Sequence, residues 1–162
     1  MKGTELAVKL ALSPGGAAVD RFCVRHLGHS PVSWLFARSG GVPYNRPLLL
    51  VTVGRRTGRE RAVVLPYFPT LGRGIAVVGS RGGSPTDPYW ARNLRVHPEV
   101  HVSLRRYEYR VRARLVEGEE RARLWKEIVA RAAIYAEYQE RAKDQREIPV
   151  FVLERSDGRE FG

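Results

Sequence analysis

The sequence predicts an α+β protein dominated by β structure, an antiparallel sheet or small barrel with flanking helices. Three observations predict it. Short runs rich in β-branched residues are separated by turns of hairpin length. Apolar positions at helical spacing precede the first of these runs. One long amphipathic stretch stands before the last. Strands joined by short turns argue against a doubly wound parallel sheet. The 162 residues suffice for one domain with a proper core. The expected organisation is an N-terminal arm with helices over 1–46, a sheet domain over 47–154 and a tail over 155–162.

Residues 1–16 end in Ser13-Pro14-Gly15-Gly16 and read as a loose arm. From Ala17 to Leu27, the positions Val19, Phe22, Cys23, Val24 and Leu27 form a helical stripe that Gly28 closes. Ser30-Pro31 opens a second short helix through Trp34, Leu35 and Phe36, ended by Gly40-Gly41. Both helices carry much apolar surface for their length. Packing on the sheet would use it; lying on a membrane or on a partner subunit is the alternative.

After Pro47 the period changes. Residues 48–53 form a buried strand, and residues 61–68 its hairpin partner across the turn 54–59. A third strand covers 74–79, followed by an irregular loop over 80–88 and a short helix from Tyr89 to Val96. Val100, Val102 and Leu104 alternate as one strand; Tyr107, Tyr109, Val111, Ala113 and Leu115 alternate as the next, with the turn at Arg105-Arg106. Glu119 to Lys143 reads as one long helix with Leu124, Trp125, Ile128, Val129, Ala132 and Tyr135 on one face. Residues 149–153 are the last strand.

The net charge is +11, from 28 Lys and Arg against 17 Asp and Glu. Only Lys2, Lys9, Lys126 and Lys143 are lysines, so 28 − 4 = 24 are arginines. A guanidinium pairs with phosphate or carboxylate in two places at once, so the excess suits an anionic partner, although arginine scattered over a solvated surface would give the same total. No apolar run reaches the roughly 18 residues of a spanning helix. The lone Cys23 excludes an internal disulfide and a Cys-rich zinc site. Without an apolar leader at the start, a cytoplasmic location is expected, with membrane attachment through the N-terminal helices as the alternative. His26 and His29 have no carboxylate cluster beside them, so no metal is expected, and His97 and His101 read as structural. Asp87 and Glu99 are isolated acids that read as caps and not as a carboxylate pair. No Gly-x-Ser-x-Gly elbow is present. The basic and aromatic ribbon 105–114 could track a nucleic-acid backbone, although simple alternation of two strand faces explains it as well.

The chemistry concentrates in four stretches. Gly54-Arg55-Arg56-Thr57-Gly58-Arg59-Glu60-Arg61 packs four arginines into a hairpin turn. It lacks P-loop spacing, but its glycines let backbone N–H groups approach an anion and Thr57 adds a donor. A solvated hairpin tip has the same composition. Gly79-Ser80-Arg81-Gly82-Gly83 is a second strand end with glycine, hydroxyl and guanidinium, and Pro88-Tyr89-Trp90-Ala91-Arg92-Asn93-Leu94 presents an aromatic pair and an amide in one helical segment. Tyr135 and Tyr138 share a helix face.

This ordered set, with His97-Pro98 and Ile148-Pro149-Val150 behind it, resembles the deazaflavin-dependent nitroreductase family, the small split-barrel proteins that use coenzyme F-420. The resemblance runs from Pro47 to Glu154 and implies an antiparallel split β-barrel, similar to FMN-binding split barrels, with residues 47–154 as the cofactor-binding domain. It further implies that Arg55, Arg56, Thr57 and Arg61 hold the phosphate and polyglutamate tail of the cofactor. Ala62, Val63, Val64, Leu65 and Pro66 would line its edge, Val78, Gly79, Ser80 and Arg81 would lie along the deazaflavin, and Tyr89, Trp90, Ala91, Arg92 and Asn93 would bracket it. Tyr135, Tyr138 and Ala132 match the substrate pocket; the small Ala132 widens it where the nitro-reducing members carry an aromatic. Arg56 replaces the family's usual Lys. The implied reaction is hydride transfer from reduced F-420 to a small-molecule electron acceptor, a quinone, an enone or a nitro group, with Tyr135 as proton donor or hydrogen-bond clamp and Ser80 assisting. A split barrel using FMN and a basic nucleic-acid-binding domain are the alternatives, and both monomer and homodimer remain open.

Overall fold

Seven antiparallel strands form one sheet in the order β2-β1-β5-β6-β7-β4-β3 in a computed structural model that describes residue 9, residues 13–40 and residues 44–162. The strands are β1 (Leu48–Val53), β2 (Glu60–Leu65), β3 (Phe68–Pro69), β4 (Ile75–Val78), β5 (Glu99–Leu104), β6 (Tyr107–Leu115) and β7 (Val150–Arg155). The helices are α1 (Pro14–Leu27), α2 (Pro31–Gly40), α3 (Tyr89–Val96), α4 (Gly118–Arg131) and α5 (Ile134–Ala142). The expected split-barrel sheet with flanking helices is what the chain forms. Contacts divide the chain into two compact units.

The first unit comprises Met1–Val51, Ala62–Pro66 and His101–Tyr109. Here β1 pairs with β5 through Leu49–Ser103, Leu50–Val102 and Val51–His101. Helix α1 begins three residues before the expected Ala17. Ser13 caps it, accepting from the Gly16 N–H at 3.1 Å, and Pro14 occupies the first turn, where its missing N–H costs nothing. Ser-Pro-Gly-Gly is therefore a helix start, not the end of an arm; the rest of the expected arm, residues 1–12, lies outside the described residues apart from Lys9. Of the expected Gly40-Gly41 stop, Gly40 is the last residue of α2 and Gly41 lies outside the described residues. Gly28 ends α1 in the left-handed region. Buried Asp20 accepts from Ser30 Oγ at 2.8 Å and from the Val32 N–H at 3.0 Å, fixing the start of α2. The expectation that the helical stripes pack away is corrected: Val24 and Ala37 are buried, but Val19, Phe22, Leu27, Trp34 and Phe36 stay 45–61 % exposed.

The second unit comprises Thr52–Arg61, Tyr67–Val100 and Arg110–Gly162. Its core joins Phe68, Val78, Leu124, Ile128, Tyr135, Ile148, Val150 and Val152. Strand β7 lies between β6 and β4, with Ala113 opposite Leu153 and Val77 opposite Phe151. The expected strand 61–68 is two strands, because Pro66 has no N–H for the ladder and interrupts it. The expected single helix 119–143 is also two. Ala132 adopts φ −149°, ψ 85° and ends α4, although the apolar stripe Leu124, Ile128, Tyr135, Ala142 runs through the break unmarked. Asp87 and Glu99 are not caps: Asp87 pairs with Arg146 and Arg95, and Glu99 with Arg112. Arg114 pairs with Glu120, so two arginines of the basic ribbon are already matched by acids.

Candidate active site

The cationic turn is closed by its own backbone. The Gly54 N–H donates to Arg59 O at 2.8 Å, and the Thr57 and Gly58 N–H groups donate back to Gly54 O at 3.1 and 2.7 Å. A Cβ on Gly54 would stand 2.7 Å from Thr57 Oγ1 and 3.1 Å from Arg59 O, so a larger residue would have to displace the threonine hydroxyl and loosen the return. Arg55 is half-buried; Arg56, Thr57, Arg59 and Arg61 are exposed. Among the described residues none of these four guanidiniums is engaged in an ion pair.

Asn93, only 3 % exposed on α3, fastens the turn. Its Oδ1 accepts from the Arg55 N–H at 3.2 Å and its Nδ2 donates to Thr52 Oγ1 at 3.1 Å. Thr52 in turn makes a long contact to Arg61 O at 3.4 Å. Both ends of the amide are thus engaged within the protein, so Asn93 acts on the turn through Arg55. Replacing Asn93 with Ala leaves two polar groups without their partner and should cost about 1–3 kcal/mol, read as a lower urea midpoint with an unchanged slope. Trp90 is buried edge-on to Phe151, 6.0 Å between ring centres, and Ala91 is fully buried. Tyr89 is exposed with the Arg92 guanidinium 4.6 Å over its ring. Val63, Val64 and Leu65 are half-buried in the first compact unit, and Ala62 and Pro66 are exposed there.

The loop after β4 is held by a residue that the sequence did not mark. Arg146, with a side chain 10 % exposed, donates from Nε to Ser84 O at 2.8 Å, from Nη1 to Gly79 O at 3.0 Å and to Asp87 Oδ1 at 2.7 Å, and from Nη2 to Ser80 O at 2.7 Å. One planar fork therefore fixes three carbonyls and a carboxylate of the segment 79–87. Val78 and Gly79 are buried, Ser80 is half-buried, and exposed Arg81 donates to Thr86 Oγ1 at 3.0 Å. Gly83, at φ 79°, presses so closely on α5 that a Cβ would lie 2.7 Å from Tyr138 O. The loop and the helix carrying the two tyrosines form one packed unit.

Tyr135 is 8 % exposed and meets Phe68 and Tyr138 edge-on, at 5.6 and 5.8 Å. Burial, with Tyr138 beside it, pushes the Tyr135 phenol up to about 12. The group is therefore a neutral hydrogen-bond donor at any physiological pH. Because its folded value lies above the usual one near 10, its contribution to stability is complete below pH 10 and is lost as pH rises through 12. Ultraviolet titration of the seven tyrosines should show one ionising last, and Tyr135→Phe should remove that step. Tyr138 is half-buried under Arg141, and half-buried Ala132 sits at the α4–α5 break. A cleft of about 330 Å3 lined by Thr70, Leu71, Arg114, Arg123, Leu124 and Glu127 contains none of these residues.

The second unit thus brings together the cationic turn, α3, the 79–87 loop and the tyrosine face. Known proteins share this chain's pattern. Residues 35–155 match the model of the family described as F420H(2)-dependent quinone reductase. An F420H(2)-dependent quinone reductase of Mycobacterium tuberculosis is 36% identical over 111 residues, 67% of this chain and 72% of that protein. A solved F-420-H2 dependent reductase is 38% identical, covers 67% of this chain and 93% of its own, and superposes with a TM-score of 0.59. A further solved structure, described only as a domain-swapped dimer, is 34% identical with the same TM-score and covers 77% of this chain and 100% of its own. With a family match over most of the chain and relatives above 30% identity, the chain belongs to the F420H(2)-dependent quinone reductase family.

Proposed function

We propose that this protein binds reduced coenzyme F-420 along the β1–β2 turn and the 79–87 loop and uses it to reduce a quinone. The observation that carries the reading is the turn itself: four arginines without acidic partners among the described residues, on a backbone that Asn93 and Gly54 hold rigid. A phosphate and a chain of carboxylates fit that donor set; a single phosphate would need fewer cations. When bound, the reduced deazaflavin supplies a hydride.

Arg56 and Arg61 neutralise the tail, and the half-buried Arg55 takes the more enclosed anionic oxygen. Arg146 keeps the carbonyls of Gly79 and Ser80 turned inward, so the loop presents one fixed edge. A quinone that accepts a hydride takes one further proton to become the hydroquinone. The product oxygen titrates near the usual phenol value of about 10. Proton transfer from Tyr135 at about 12 is uphill, whereas hydrogen-bond donation is not. Tyr135 is therefore the clamp that stabilises the developing oxyanion, assisted by Ser80, and solvent supplies the proton. The small Ala132 leaves room for the acceptor. Because such acceptors are apolar, the exposed residues of α1 and α2 support peripheral attachment to a membrane, where the acceptor collects.

Fluorescence titration with reduced F-420, oxidised F-420 and FMN tests the cofactor, and absorbance at the deazaflavin band tests turnover with a soluble quinone. F-420 is expected to bind far more tightly than FMN, and its reduced form to be oxidised only when quinone is added. Tighter binding of FMN, or no quinone-dependent oxidation, would overturn the reading.

A further inference from the structure

The first compact unit carries a surface that the redox chemistry does not use. On α1, Val19 and Phe22 follow one another at helical spacing on the side opposite buried Asp20 and Val24. Phe22 is 61 % exposed and contacts His26 at 4.5 Å between rings. Leu27 at the end of α1 is exposed as well, and on α2 so are Trp34 and Phe36, which lie on different sides of that helix. The only acid among residues 13–40 is Asp20, and it is buried on Ser30 and Val32. Every exposed charged group of these two helices is a cation.

A second observation points the same way. The β5–β6 turn reaches the corner between α1 and α2: a Cβ on Gly28 would lie 3.2 Å from Arg105 Cα and from Arg106 Cγ. Both turn residues have positive φ, 51° and 78°. A two-residue turn of this kind is ordinarily Asn-Gly, because side chains are strained there. This chain instead carries two exposed arginines, neither in an ion pair among the described residues, followed by exposed Tyr107. Arg25 holds Glu108, the turn's one neighbouring carboxylate, at 2.8 Å. The strained turn thus sets two cations at the corner where α1, with its exposed Phe22 and Leu27, gives way to α2.

We propose that this surface docks on lipid and selects anionic headgroups, with the Arg105-Arg106 turn as the charge-reading element. The proposal deepens the membrane attachment stated above and rests on it. Trp and Phe seat at the headgroup boundary while guanidiniums pair with lipid phosphate. A second copy of the chain is the poorer occupant. A symmetric interface would set this cationic surface against itself, with Glu108 its one exposed carboxylate and that already engaged.

Co-sedimentation with vesicles of phosphatidylcholine alone, and of phosphatidylcholine mixed with phosphatidylglycerol, tests this. Binding is expected to the mixed vesicles and to fall with salt. Arg105→Asn with Arg106→Gly relieves the strained turn, so the melting temperature should rise while affinity for mixed vesicles falls about thirtyfold. Trp34→Ser should weaken binding to both vesicle types. Equal binding to both types by the unaltered protein overturns the selection of anionic lipid. No binding to either overturns docking altogether. A dimer that Phe22→Ser dissolves, with no vesicle binding, assigns the surface to a second copy and also overturns it. Turnover of a soluble quinone, unchanged in all three variants, reports separately on the catalytic reading.

Discussion

Replacing Arg146 with methionine is expected to lower the melting temperature by about 6–12 °C and to weaken F-420 binding in the same protein. Methionine fills similar space but donates nothing, so the carbonyls of Gly79 and Ser84 lose their donor, and that of Ser80 keeps only the Gly83 N–H, in a site where little water reaches. Breaking a buried ion pair costs about 3–5 kcal/mol, because the remaining charge stays desolvated. Asp87 keeps Arg95 at 3.1 Å, which places the loss near the lower bound, about 3 kcal/mol. For a chain of this size each kcal/mol moves the midpoint by about 2–4 °C. Arg146→Lys should recover little, since an ammonium cannot reach four acceptors in one plane. The binding measurement, made well below the lowered midpoint, separates positioning from stability: the KM for F-420H2 should rise with the quinone KM less affected. A variant with wild-type melting temperature and wild-type cofactor affinity would remove Arg146 from the site.

Charge reversal at the cationic turn should act on binding alone. Arg55→Glu combined with Arg56→Glu is expected to weaken F-420 at least about a hundredfold, since each reversal turns an attraction of a few kcal/mol near a protein surface into a repulsion. The melting temperature should barely move. The turn is held by main-chain bonds and by Asn93, which accepts from the Arg55 backbone and not from its side chain. Arg56→Lys should keep most of the affinity and lose only the bidentate grip. Isothermal calorimetry with oxidised F-420 reads both variants against the unaltered protein. Unchanged affinity in the double variant would show that the anionic tail lies elsewhere.

The strands and the order of elements were legible because periodicity is a local property. Strand β1 spans the residues the apolar run marks, β6 spans its alternation, and α3 ends where expected. The misread boundaries have different causes. Pro66 could have been read as a ladder breaker, since a missing N–H is a property of the residue. The break at Ala132 could not: alanine is the best helix former, and the stripe passes through without a change of phase. Beyond the break, α5 meets Gly83 backbone to backbone at Tyr138, a long-range approach that the local pattern does not contain. The start of α1 was legible in the way Pro66 was, because Ser13-Pro14 carries the same cap-and-proline signal by which Ser30-Pro31 marks the start of α2.

The sequence by itself determined an antiparallel sheet with helices before and within it, the cationic turn between its first two strands, and the tyrosine pair on a late helix. Tertiary structure alone decided which polar groups serve that turn and its neighbouring loop. Arg146 lies 59–67 residues from the groups it holds, and Asn93 lies 38 and 41 residues from Arg55 and Thr52. One arginine among 24 bears no local mark of burial. Burial and hydrogen-bond partnership arise only when distant segments exclude water from the same place, and the pattern of neighbours along the chain does not contain that information.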